Sequence, residues 1–150
     1  MNKSFLKIAR FGLIFLIIIL SLNSCKSTKN SNKTNLLYEV LTEQNDGGAN
    51  FRFYEILTEE KEIKMLLSDS KLKGKIEQSD INTCNFVILN MGEQTNKNAI
   101  IKVKKVEETT DKILIFVEDG KSKETSITDS EINYPYTIVK IYSKKEIVIQ

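Results

Sequence analysis

The sequence predicts an α+β fold, a largely antiparallel sheet or small sandwich carrying one short helix. Two observations lead there. Short segments rich in Ile, Val, Phe and Tyr recur along the chain, bounded by clusters of Gly, Asn, Asp and Ser, which is the pattern of strands and turns. One stretch, beginning at Thr58, switches to apolar spacing of three and four residues, the pattern of an amphipathic helix. No internal repeat or heptad pattern is present.

In chain order, Lys3, Lys7 and Arg10 form a positive region without an acidic residue, and Phe11 to Leu20 is an apolar run. Leu22-Asn23-Ser24-Cys25 follows. Charge, a short apolar core and a small-residue site come in the order of a secretory signal. A membrane-spanning helix needs about 20 apolar residues, more than this run supplies. The stretch ending at Cys25 resembles the lipobox of bacterial lipoproteins, with Asn23 a less usual occupant of the middle position. That resemblance implies cleavage before Cys25 and acylation of its thiol, hence a membrane anchor through several acyl chains. Residues 1–24 are thus read as a signal peptide and 25–35 as the lipidated Cys with a flexible polar stem. Residues 36–150 are long enough for one hydrophobic core. Lys26 is not the Asp of an inner-membrane retention signal, and the residues after it lack an acidic export cluster. The expected location is the periplasmic face of an outer membrane.

Within the domain, Leu36 to Leu41 is a candidate strand, and Asn45-Asp46-Gly47-Gly48 supplies turn chemistry after it. Phe51 to Ile56 is aromatic and β-branched, and the two segments are expected to pair as a hairpin. Thr58 reads as the helix N-cap, with Glu59 and Glu60 in the first turn and Ile63, Leu66 and Leu67 on the buried stripe. Lys71 to Asn82 is a polar connection anchored by Leu72, Ile76 and Ile81. Phe86 to Met91 is almost continuously apolar and should be central. Gly92 to Asn98 is a turn. Strands are expected at Ala99 to Val106, Lys112 to Val117, Pro135 to Tyr142 and Glu146 to Ile149, with a polar loop from Glu118 to Asn133.

Composition narrows the function. The formal charge of +2 includes the three cations of residues 1–24; without them 19 basic residues stand against 20 acidic ones. A nearly neutral chain whose cations are almost all Lys is a poor match for nucleic acid, so no nucleic-acid partner is expected. His is absent, which removes the commonest general base and metal ligand. Nothing marks one Lys as desolvated, so a Ser–Lys pair has no candidate. Glu107, Glu108 and Asp111 lie beside polar turn residues and read as a solvated loop rather than a glycosidase pair. Glu118-Asp119-Gly120 lacks the alternating oxygen ligands of a calcium loop. No catalytic residue, metal or cofactor is expected. Cys84, left without an intramolecular partner once Cys25 is acylated, reads as a small buried apolar residue before a strand rather than as a reactive thiol.

Tyr134 and Tyr136 flank Pro135, the chain's single proline. They read either as an aromatic patch for a partner or as rings capping the core behind a proline-started edge strand. From Phe86 onward the chain also carries a recognisable series. It runs Phe86-Val87-Ile88-Leu89, Gly92-Glu93, Ile100-Ile101-Lys102-Val103, Val106-Glu107, Ile113 to Val117, and Tyr134-Pro135-Tyr136-Thr137-Ile138-Val139-Lys140-Ile141. This series resembles the C-terminal domain of the protease complex subunit PrcB family. In that family Gly-Glu usually leads to Thr-Gly-Gly-Tyr; here the stretch is Thr95-Asn96-Lys97-Asn98, and the tyrosine is lost. Asn tolerates the left-handed conformation that Gly would supply there. The resemblance implies a non-catalytic accessory subunit that associates with and stabilises an envelope protease. Asn96, Lys97, Asn98, Tyr134 and Tyr136 are the candidate partner-binding residues. The alternative is a protease inhibitor, which requires Asn96 and the Glu118–Asn133 loop at one end of the sheet.

Overall fold

The computed structural model describes residues 36–122 and 132–150. Leu22, Asn23, Ser24, Cys25 and the stem lie outside the described residues, as does the middle of the loop before Asn133. The elements are β1 (Tyr38–Gln44), β2 (Phe53–Leu57), α1 (Glu60–Leu67), a 3₁₀ turn (Ser70–Leu72), α2 (Asp80–Thr83), β3 (Asn85–Asn90), β4 (Ala99–Glu108), β5 (Lys112–Lys121), β6 (Tyr136–Ile141) and β7 (Glu146–Ile149). A four-stranded antiparallel sheet has the order β1-β6-β3-β2, and a three-stranded sheet has the order β4-β5-β7. β4 and β5 are antiparallel, while β5 and β7 run parallel. The architecture is α+β, a small sandwich with helices on one side.

Strand alternation builds the layers. Phe86 on β3 and Ile138 on β6 point to the helical layer, where they pack with Leu41, Leu57, Ile63 and Leu66. Val87 and Leu89, with Val139 and Ile141, point to the second sheet and meet Ile101, Ile113 and Ile115. β3 and β6 are therefore buried on both faces, and such strands take the interior of a sheet.

That requirement overturns the expected hairpin. β1 pairs with β6 and β2 with β3, so β1 and β2 occupy opposite edges. Adjacency in sequence gives way to burial: the two apolar strands claim the centre, and the amphipathic ones are left outside. The Asn45–Gly48 turn consequently crosses the end of the sheet instead of folding β2 back on β1. Pro135 does not start an edge strand either, because β6 is interior. Its carbonyl accepts the Met91 N–H at 2.9 Å. Proline cannot donate the reciprocal bond, so regular pairing begins one residue later, at Tyr136.

The helix starts one residue later than expected. Glu59 is the N-cap, in extended conformation, and the Glu62 carboxylate accepts the N–H groups of Glu59 and Thr58 at 3.1 and 3.2 Å. Ile63 and Leu66 are buried, and Leu67 packs against the same cluster. In the connection that follows, Leu72, Ile76 and Ile81 are buried anchors as expected. It contains the 3₁₀ turn and a further helical turn, α2, where Asp80 accepts the Glu77 N–H at 2.8 Å. β5 continues through Glu118 to Lys121, which the sequence assigned to a loop. Its polar residues find cross-strand partners: Glu118 lies opposite Lys102 and Gly120 opposite Ile100.

Candidate functional site

Three connections meet at one end of the larger sheet: Asn45–Arg52, Gly92–Asn98 and Asn133–Pro135. Asn133 Nδ2 donates to the Asn45 carbonyl at 2.7 Å, and Asn45 Nδ2 donates to the Lys97 carbonyl at 3.3 Å. Gln94 and Asn133 exchange backbone hydrogen bonds, both 2.9 Å. The Gly48 N–H donates to the Tyr134 carbonyl at 2.8 Å, and the Tyr134 N–H to Asp46 Oδ1 at 3.0 Å. The Ser122 N–H donates to the Asn98 carbonyl at 2.7 Å, so the end of β5 joins the same lattice.

One buried side chain organises much of this. Asn90, at the end of β3, donates to the carbonyls of Ala49 and Phe51 and accepts the Ala49 N–H. A Cβ on Gly48 would overlap Asn90 Oδ1 and stand 2.8 Å from the Tyr134 carbonyl, so only glycine lets these segments touch. Gly92 has a positive φ of 82°, and a Cβ there would lie 2.9 Å from the Arg52 nitrogen. The turn next to it is closed without left-handed asparagines. Among the described residues no non-glycine has positive φ. Instead Asn96 Oδ1 accepts the Asn98 N–H at 3.1 Å, and the Asn96 carbonyl accepts from Ala99 at 2.9 Å. Asn96 and Lys97 are exposed; Asn98 is half-buried by its backbone bonds.

Beside this end lies an open groove of about 370 Å³, within the range of small-ligand or side-chain sites. Phe53, Ile88, Ile138 and Tyr136 form its apolar floor, and Leu66, Lys71 and the Gly47–Ala49 loop form its walls. It exists because the helical layer covers the larger sheet incompletely. Lys71 Nζ sits 5.5 Å from the Tyr136 ring centre and donates to its hydroxyl at 3.2 Å. That hydroxyl raises the Lys71 pKa above its ordinary value. Phe51, 63% exposed, stacks at a tilt on Phe53 with ring centres 5.3 Å apart.

The sequence marks no lysine as desolvated, and the structure buries one, Lys140. Tertiary packing, not local sequence, leaves this residue 6% exposed. Its Nζ donates to Asp80 Oδ2 and the Lys75 carbonyl, each at 3.1 Å, with Glu39 at 3.7 Å. Burial by itself pulls the ammonium pKa down, but the hydrogen bond and charge of Asp80, helped by Tyr142 and Glu39, outweigh it. The pKa lies above that of an ordinary lysine. Lys140 is therefore held as a cation, and a cation is not a general base. Cys84 is also buried, its thiol 3.6 Å from Asp80 Oδ1, and burial pushes its pKa up. A raised pKa lowers thiolate content, which is the opposite of an activated thiol.

The structure thus brings Asn96, Lys97, Asn98, Tyr134 and Tyr136 to one hydrogen-bonded end, with the Tyr136 ring opening into the groove. The groove and the Lys140–Asp80 pair escaped the sequence. The only trace of the latter was a Lys in a largely apolar strand, Tyr136-Thr137-Ile138-Val139-Lys140-Ile141. No protein-family model, curated protein or solved structure matches the chain.

Proposed function

We propose that this chain is an envelope lipoprotein, anchored through acyl chains on Cys25 at the periplasmic face of an outer membrane. There it acts as a non-catalytic module that binds and stabilises a partner protein, an envelope protease by the PrcB resemblance. One observation carries the binding reading: three loops are locked to one another by hydrogen bonds and hold exposed Asn96 and Lys97 beside an apolar groove. Binding surfaces gain affinity when their loops are rigid before the partner arrives. The cationic Lys140 and the buried Cys84 thiol give acid–base or nucleophilic chemistry no support.

Crosslinking in intact envelopes followed by mass spectrometry tests the proposal. One partner should be recovered with the native chain, and the double variant Lys97→Ala/Asn98→Ala should lose it while remaining folded. Unchanged recovery moves the contact surface from the turn to Tyr134, Tyr136 and the groove. Recovery of no partner refutes the binding module.

Inhibition of a protease is the second reading. It is favoured by the approach of the turn to both described flanks of the intervening loop, through Ser122 to Asn98 and Asn133 to Gln94. Turnover by the recovered protease separates the two: a stabilising subunit preserves activity, an inhibitor abolishes it.

A further inference from the structure

The outer strands differ in how they treat their free edges, which present N–H and C=O groups that another extended chain can pair with. β1 breaks its register with a bulge between Val40 and Thr42. β4 is bulged between Val103 and Lys105, and it carries Lys102, Lys104 and Lys105. These are devices that discourage strand addition. β7 is regular but only four residues long, and its Ile147 is buried. β2 pairs with β3 in unbroken register along all five of its residues, without bulge, Lys or Pro.

Hydrogen-bond alternation identifies the free groups of β2. The Met91 N–H bonds to Pro135 and the Asn85 N–H to Ser143, so the odd-numbered residues of β3 face β6. Its even-numbered residues face β2 and pair there with Phe53, Glu55 and Leu57. The backbone groups of Tyr54 and Ile56 consequently point away from the sheet, and no described residue pairs with them. Tyr54 and Glu55 are exposed at this edge.

We infer that β2 receives an extended segment of the partner protein as a fifth strand of the larger sheet, with a basic residue of that segment opposite Glu55. The inference rests on the partner-binding reading and names its mode. Only an extended backbone supplies alternating donors and acceptors at the spacing of Tyr54 and Ile56. A second copy of this chain is the wrong occupant. Antiparallel pairing of β2 with itself through Tyr54 and Ile56 centres on Glu55 and sets two carboxylates directly opposite, which is unfavourable. A Lys or Arg there is favourable, and apolar residues on either side of it meet Tyr54 and Ile56.

The full chain in detergent micelles is screened against phage-displayed random peptides about twelve residues long, enough to span a strand of five or six. Selected peptides should share a basic residue with apolar residues on both sides, and should slow hydrogen exchange at the Tyr54 and Ile56 amides. Tyr54→Pro should weaken their binding at least about tenfold, because proline is tolerated where the N–H faces solvent but cannot donate to an added strand. Glu55→Lys should shift the selection toward acidic centres, and it decides the matter alone where the proline variant fails to fold. Protection confined to the groove or the Gly92–Asn98 turn, an unchanged selection with Glu55→Lys, or no selected peptide overturns strand addition. The envelope crosslinking experiment judges the partner-binding reading separately: a recovered partner leaves it standing, and none removes it too.

Discussion

Replacing Asp80 with Ala should cost this domain about 3 kcal/mol, for reasons that lie in the site of Lys140. The substitution removes a charge-assisted hydrogen bond, worth about 1.5–3 kcal/mol. It strips the Glu77 N–H of its acceptor, worth about 1 kcal/mol more. The ammonium stays buried with the Lys75 carbonyl at 3.1 Å and the more exposed Glu39 at 3.7 Å. Breaking a buried pair from one side typically costs about 3–5 kcal/mol, and the remaining carboxylate holds this case at the low end. Lys140→Met keeps the packing of the side-chain stem and leaves Asp80 its Glu77 contact, so it should cost less, about 1–2 kcal/mol. The double variant should fall short of the sum by at least about 1 kcal/mol. Urea titration followed by far-UV circular dichroism measures all three, the chain having no Trp for fluorescence. The pH dependence carries a sign. The native Lys140 pKa lies above its unfolded value of about 10.4, so the pair's contribution is complete below that pH and is lost as pH rises through the native pKa. In Asp80→Ala burial loses its main counterweight, the native pKa falls toward or below the unfolded one, and the alkaline loss should shrink or vanish. An Asp80→Ala cost under about 1 kcal/mol, or strict additivity in the cycle, refutes the buried-pair reasoning.

Asn90→Ala removes the side chain that ties Ala49 and Phe51 to β3 and should destabilise the domain by about 2–3 kcal/mol, read from the same titration. Partner recovery should fall with it, because the loops lose their common tether. Cys84 should resist a maleimide at neutral pH in the folded protein and react quickly in urea, since burial both shields the thiol and raises its pKa. Mass spectrometry of the labelled chain checks this, and equal rates in both states contradict it. Cys25→Ala should abolish metabolic labelling by a fatty-acid analogue while the domain keeps its native denaturation midpoint.

Much of the domain was legible from local pattern. The apolar run from Phe86 could only be an interior strand, because both of its faces needed cover, and it is one. Leu72, Ile76 and Ile81 stood out as apolar residues in a polar connection, and each is buried. Cys84 was placed correctly by its position before that strand. Errors came where two signals of similar strength competed. Thr58 and Glu59 are both capping residues, and the reach of Glu62 decided between them. Polar Glu118 to Lys121 looked like loop until a partner strand was there to pair with it. The candidate residues of the binding end were nameable one by one, but nothing in their spacing said that they would meet.

By itself, then, the sequence determined the α+β class, one interior strand, β3, and the face of the helix that is buried. These follow from apolar periodicity, a property of neighbours a few residues apart. Tertiary structure alone decided that β1 and β2 would part, that β7 would lie parallel to β5, and that Lys140 would be buried against Asp80, 60 residues away. It also opened the groove and left the edge of β2 unpaired. These depend on which surfaces compete for the same buried space, and that competition is settled among all the strands at once.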